Sequence, residues 1–348
     1  MRGKRIAALL LSGVMAASML TGCGSVDKDA VVATLDDKEI TLGIANFVAR
    51  LTQAQYDDFY VAYFGEEVWE SDLYGNGTTL EYNTKNDVMS SLQNMYVLQA
   101  HMDDYGVTLT DEEKTAASEA AAAFISSNEK DALDALGATQ EIVEEYLTLT
   151  TIQYKMYDAI IADADTNVSD EEANMSAYSY VRVSKTSYTD AEGNTVEYTE
   201  DEQAQLADTM AGFVTNAKKD TLETAAEALG YTVNAGTYAA DDTTLDEAVL
   251  TALNALEEGE VSDLVDVEDY YYVVRLDAKT DAEATESHRQ EIIEQRQSDL
   301  YTEVLNGWIE ASEWTVDEKV WEQVTFDNLF TTIEPSTETE TAETTEAE

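Results

Sequence analysis

One cysteine and two histidines among 348 residues leave no material for a disulfide framework, a Cys/His zinc cluster or a paired-imidazole site. Cations are scarce as well: 19 Lys and Arg face 72 Asp and Glu, a formal charge of −53. Phosphate recognition needs clustered positive charge, so nucleic acid is excluded as a partner. Proline occurs once, at Pro335. Beyond the N-terminus no apolar run reaches the roughly 18 residues that a membrane-spanning helix requires. Against these shortages stand a 44% apolar content, 20 Tyr, seven Phe and four Trp, too hydrophobic for a disordered polyanion. The length suits about two domains with a sizeable core.

The N-terminus reads as an export signal. Arg2, Lys4 and Arg5 precede an apolar run over 6–20, and residues 1–22 contain no acid. Leu20-Thr21-Gly22-Cys23 follows at once and resembles the lipobox of bacterial lipoproteins. That resemblance implies cleavage before Cys23 and a diacylglycerol thioether on it, which assigns the only cysteine. Two acyl chains give durable anchoring where one gives marginal binding. The expected location is the extracytoplasmic face of the cell membrane, with residues 23–30 as a tether.

Residues 31–35 and 36–40 read as a short extended segment and turn. Apolar positions Phe47, Val48, Leu51, Ala54 and Phe59 then approximate helical spacing up to Gly65. Val88, Leu92, Met95 and Met102 mark a second helix stopped by Gly106. Thr110 with Glu113, and Ser169 with Glu172, have the spacing of capping boxes. Between them, Ile142, Leu149, Ile152, Met156 and Ile160 outline another helix. From Tyr178 the pattern changes. Residues 178–183 alternate as a strand, helices are expected from about Thr199, over 222–229 and over 245–256, and extended segments over 231–233, 261–265 and 270–276. A long helix follows from Ala282, with Ile293, Leu300, Val304 and Trp308 at turn spacing. From 331 onward the chain is an acidic Thr/Glu-rich tail with too few apolar groups to fold.

This order resembles the extracytoplasmic foldases of the PrsA and SurA type, chaperones carrying a parvulin-like peptidyl-prolyl isomerase domain. Val32-Ala33-Thr34-Leu35 through Ile40-Thr41-Leu42 is similar to the opening of the family's chaperone domain. Leu256-Glu257-Glu258-Gly259-Glu260-Val261-Ser262, followed by Tyr270-Tyr271-Tyr272-Val273-Val274-Arg275-Leu276, is similar to the parvulin ending. The resemblance implies an α+β fold: a mainly helical chaperone domain over 31–175, completed by a C-terminal helix over 282–330, with a parvulin-like domain of a small mixed or antiparallel sheet and helices inserted at 176–281.

The family's two signature histidines fall on Tyr180, within Tyr180-Val181-Arg182-Val183, and on Tyr272. These two are the candidate catalytic residues. Its apolar proline pocket falls on Leu245 and Val249, and its acidic or Cys position has only Asn234, ahead of Gly236, as a polar neighbour. Read from the residues alone, Tyr180 and Tyr272 are strand aromatics packing across a sheet, and Leu245 and Val249 are core at helical spacing. His101 and His288 lie outside the expected isomerase domain and read as surface or cap residues. Asp-rich stretches at 163–165 and 241–242 lack the twelve-residue calcium loop, carboxylate pairs are uninformative among 72 acids, and no nucleophile elbow is present. No cofactor or metal is expected. The expected partners are unfolded or newly exported polypeptides, with a membrane contact through the lipid at Cys23. The function implied is a lipid-anchored foldase, with prolyl isomerase activity open because both imidazoles are replaced. A cell-envelope scaffold or adhesin using the domain for docking is the alternative.

Overall fold

The computed structural model describes residues 14–17, 26–190, 192–327 and 329–333. The chain divides into two units, Met1–Asp163 with Asp299–Glu348, and Ala164–Ser298. Each combines helices with small antiparallel sheets, so the fold is α+β. Cys23 and residues 334–348 lie outside the described residues. Among the described residues no helix is long and apolar enough to cross a membrane.

The first unit is built around the helix Leu42–Phe64, whose first ten residues are all buried. Phe47 is fully enclosed and meets Phe124 and Tyr146 edge-on at 6.0 and 5.8 Å. Enclosing an aromatic of that size stabilises by roughly 1.5–3 kcal/mol. The helices Leu80–Ala100, Asp111–Ser127 and Gln140–Ile161 contribute to the same core. Thr110 and Glu113 form a complete capping box at the start of the second of these. The second expected helix does not run through to Gly106. It ends at His101, and a short 3₁₀ turn over Met102–Tyr105 leads to Gly106 at φ 61°. The imidazole of His101 stacks on Trp308 at 4.2 Å and bonds Asp104 at 2.6 Å, which stabilises this break.

The C-terminal segment completes this unit. Strand Trp314–Val316 pairs with Val31–Leu35, which also pairs with Lys38–Thr41 across a two-residue turn. Asp36 adopts φ 48° in that turn, a conformation that short polar side chains tolerate. Trp321, Val324, Phe326 and Phe330 then enter the core. Residues 331–333 do not open the tail: Phe330–Ile333 is a strand, antiparallel to Val14–Ala17. Phe330 is buried and its amide donates to Asp57 Oδ2 at 2.7 Å, an anchor concealed by the polar composition that follows it.

The second unit is a four-stranded antiparallel sheet in the order Asn234–Tyr238, Ser176–Ser184, Tyr270–Ala278, Val265–Val267. Helices Glu200–Lys219 and Leu222–Leu229 cover one face, where Val181 and Val273 pack against Met210, Phe213 and Leu222. Thr199 and Glu202 form a capping box at the first helix, and Gly230 at φ 71° ends the second. Three expectations shift. The strand expected over 231–233 begins at Asn234 because the Tyr231 amide closes the preceding helix on the Ala226 carbonyl and its ring meets Phe213 at 5.7 Å. The segment 261–265 makes one isolated bridge, Val261 with Arg275, before the strand Val265–Val267. Ser169 accepts from the Glu172 amide, but the reciprocal half of the capping box is missing: the Glu172 carboxylate pairs with Arg296, and the helix Asp170–Ala173 is a single turn. A hairpin of Ser187–Thr189 with Thr195–Glu197 precedes Thr199.

Candidate functional site: a tyrosine-lined sheet face

Alternation along Ser176–Ser184 puts Tyr178, Tyr180 and Arg182 on one face. The register sets Leu276, Val274 and Tyr272 opposite them, in that order. Val265 lies beyond Tyr272 and Val267 beyond Tyr270. The helix Glu247–Asn254, capped by Asp246, packs on this face, so that Val249 and Leu253 join Tyr178, Tyr238, Val274 and Leu276 in one apolar cluster. Tyr180, Tyr272, Leu245 and Leu250 border it, partly buried.

The rings form a continuous wall. Tyr178 stacks on Tyr180 at 5.5 Å and meets Tyr238 edge-on at 5.6 Å; Tyr180 lies 6.1 Å from Tyr272, and Tyr272 lies 6.4 Å from Tyr270. Gly236 makes room for the wall, since a Cβ there would stand 2.9 Å from Tyr178 Cε1. Burial pushes the Tyr178 phenol above its ordinary pKa, with Tyr180, Asp242 and Tyr272 adding to the effect. Arg182 lies over the Tyr270 ring at 4.7 Å. Its hydrogen bond to Tyr272 is the main reason its guanidinium is held above the ordinary range. The border of this face therefore carries phenol and guanidinium donors.

The sequence-derived site residues thus meet on one face. Tyr180 and Tyr272 are neighbours in the wall, Leu245 is at the border, and Val249, 2% exposed, is part of the floor. Asn234 is opposite Tyr180 in the sheet register but exposed, with its amide on the Thr232 carbonyl. His101 belongs to the first unit, and His288 bonds the Ala173 carbonyl at 3.1 Å. Arg182, Tyr178, Tyr238 and Tyr270 were missed as site residues. The period-two spacing of 178, 180 and 182 was the available signal for three members of this face.

The Gly259-Glu260-Val261-Ser262 motif builds the other border. Gly259 turns at φ 79° and donates to the Leu276 carbonyl at 2.7 Å. Ser262 is buried: its amide donates to the Val274 carbonyl at 2.8 Å, while its Oγ accepts from the Val274 amide at 3.0 Å. One serine thereby supplies the sheet bonds that a strand residue would, and holds Val274 beneath the tyrosine wall. Among the described residues no cluster of His, Cys, Asp or Glu is arranged to hold a metal ion.

Chemically, this face presents aromatic rings over a packed apolar cluster, with phenol and guanidinium donors along its border. Rotation about a prolyl peptide bond needs no nucleophile: the barrier of roughly 18–20 kcal/mol is amide resonance, and dipoles that favour the twisted amide lower it.

Comparison with known proteins bears on the same segment. Residues 182–287 match the family model of the PPIC-type PPIASE domain. Similar solved structures include the foldase protein PrsA of Lactococcus lactis, at 15% identity over 85% of this chain and 99% of that one, with a TM-score of 0.32. The peptidylprolyl isomerase PrsA of Bacillus cereus is 19% identical over 73% and 95%, with a TM-score of 0.31. A SurA-like chaperone of Campylobacter jejuni is 11% identical over 82% and 98%, with a TM-score of 0.29. No curated protein matches the chain. Residues 182–287, which take in Arg182, Tyr238, Val249, Tyr272 and the Gly259–Ser262 border described above, are a parvulin-like domain of the PPIC type; Tyr178 and Tyr180 precede the matched segment.

Proposed function

We propose that the chain is an extracytoplasmic foldase, held at the membrane through Cys23, that binds unfolded exported polypeptides. Its parvulin-like domain grips their prolyl segments on the tyrosine-lined face. The observation that carries this reading is the coincidence of a PPIC-type domain with a tyrosine-lined apolar face whose border offers Arg182 and the phenols of Tyr180 and Tyr272 as donors. The two tyrosines stand where the family resemblance expects imidazoles. In this reading the twisted amide of a bound proline is stabilised by hydrogen bonds from that border, without covalent chemistry.

The test is a refolding reaction limited by prolyl isomerisation, which takes tens to hundreds of seconds without a catalyst. The full-length protein is expected to accelerate the slow phase in proportion to its concentration. Arg182→Met and Tyr272→Phe are expected to reduce the acceleration. Slow phases unchanged at high concentration would reject isomerase action. Failure to slow aggregation of unfolded exported proteins at stoichiometric amounts would reject the foldase reading altogether.

A further inference from the structure

The helix Leu42–Phe64 has two halves of opposite character. Its first ten residues are enclosed, yet its second half ends in an aromatic ridge open to solvent. Phe59, Tyr63 and Phe64 are 54%, 73% and 53% exposed, and Tyr56 is nearly half exposed. Their rings are not scattered. Phe59 and Tyr63 lie 4.7 Å apart, Tyr60 stacks on Tyr56 at 5.5 Å, and Tyr60 also faces Phe59 at 5.6 Å and Phe64 at 6.2 Å. Tyr74, itself exposed, hydrogen-bonds Tyr60 from the following loop. Scattered exposed aromatics need no explanation, whereas a contiguous group marks a binding surface.

The charge around the ridge identifies what it fits. Asp58, Glu66, Glu67 and Glu70 are exposed beside it in the chain, and no Lys or Arg occurs between Arg50 and Lys85. Aromatic faces attract cations, and an acidic rim raises their local concentration. A second copy of a chain carrying −53 is repelled by that rim, as is an anionic lipid surface. We infer that the aromatic ridge of Leu42–Phe64 docks extended polypeptide segments in which Lys or Arg alternate with apolar side chains. The inference rests on the foldase reading and assigns that activity a second, proline-independent contact.

Fluorescence anisotropy with a labelled, proline-free peptide of alternating Arg and Leu, about ten residues long so that it spans the ridge when extended, tests it. The full-length protein is expected to bind this peptide, more weakly as salt rises, and to ignore a Glu/Leu counterpart. Phe59→Ser/Tyr63→Ser/Phe64→Ser is expected to weaken binding about tenfold, through lost aromatic contact area and lost cation–π attraction. Its urea midpoint should stay unchanged, because all three rings are exposed. Glu66→Gln/Glu67→Gln/Glu70→Gln should weaken binding at low salt and flatten the salt dependence. Unchanged affinity in the aromatic variant, or equal binding of the acidic peptide, would overturn the inference. So would an effect of the aromatic variant seen only on self-association, vesicles or glycans. The refolding assay keeps the two readings apart: a variant that accelerates prolyl refolding but has lost the peptide confirms separate contacts. A wild-type protein inactive in refolding and aggregation assays sinks the foldase reading, while the peptide titration still reports on the ridge.

Discussion

Asp57 offers a quantitative test of how the first unit is closed. Its carboxylate has no exposed surface, accepts from Trp69 Nε1 at 2.6 Å and from the Phe330 amide at 2.7 Å, and is thereby the joint between the first helix and the C-terminal strand. Desolvation raises its pKa from 3.8 to about 6, against the lowering effect of those donors, Gln53 and Arg50. Because the folded value lies above the unfolded one, the charged form costs stability at neutral pH, and that cost fades as pH falls through 6 toward 3.8. The full difference corresponds to roughly 3 kcal/mol. Between pH 7.5 and pH 5 the wild type should therefore gain about 1.4 kcal/mol relative to Asp57→Asn, whose amide does not titrate. Urea unfolding followed by tryptophan fluorescence at the two pH values reads this difference, and the subtraction cancels the contributions of the other carboxylates. Curves for wild type and variant that shift in parallel with pH would refute the reasoning. Asp57→Ala, which leaves two buried donors unpaired, should cost about 3–5 kcal/mol at pH 7.

Further outcomes follow from the second unit. Gly236→Ala brings a methyl against the Tyr178 ring and should cost about 1–3 kcal/mol in chemical denaturation, with Tyr178→Leu relieving part of the loss. Ser262→Ala removes the acceptor of the buried Val274 amide and should destabilise by about 1–3 kcal/mol, whereas Ser262→Thr should retain most of the stability. Thr199→Ala breaks the capping box of Glu200–Lys219 and should cost about 0.5–2 kcal/mol, visible as a lower thermal midpoint.

What could be read from the sequence was local. Hydroxyl and carboxylate spacing at Thr110 with Glu113 marked a helix start, Gly65 and Gly230 stand at helix ends, and the alternation over 178–183 marked a strand. Tyr180, Tyr272, Leu245 and Val249 came from family resemblance, and their convergence on one face depends on a register between segments some ninety residues apart. The role of Arg182 is not legible in the sequence because it depends on Tyr270 and Tyr272 across that register. The Asp57 joint was equally hidden: its partners are Trp69 and the amide of Phe330, 12 and 273 positions away. The single-turn helix after Ser169 shows the converse, where a correct local motif yields half its expected bonds because Arg296 claims the Glu172 carboxylate.

The pairing of Val31–Leu35 with Trp314–Val316 has a kinetic corollary. A chain delivered amino end first leaves the earliest central strand waiting for nearly the whole polypeptide before its outer neighbour arrives. Residues 164–298 are contiguous and can close on their own contacts during that interval. Maturation should therefore run from the middle outward, and a molecule truncated before Trp314 would carry a finished central module beside a first unit still missing an edge of its sheet.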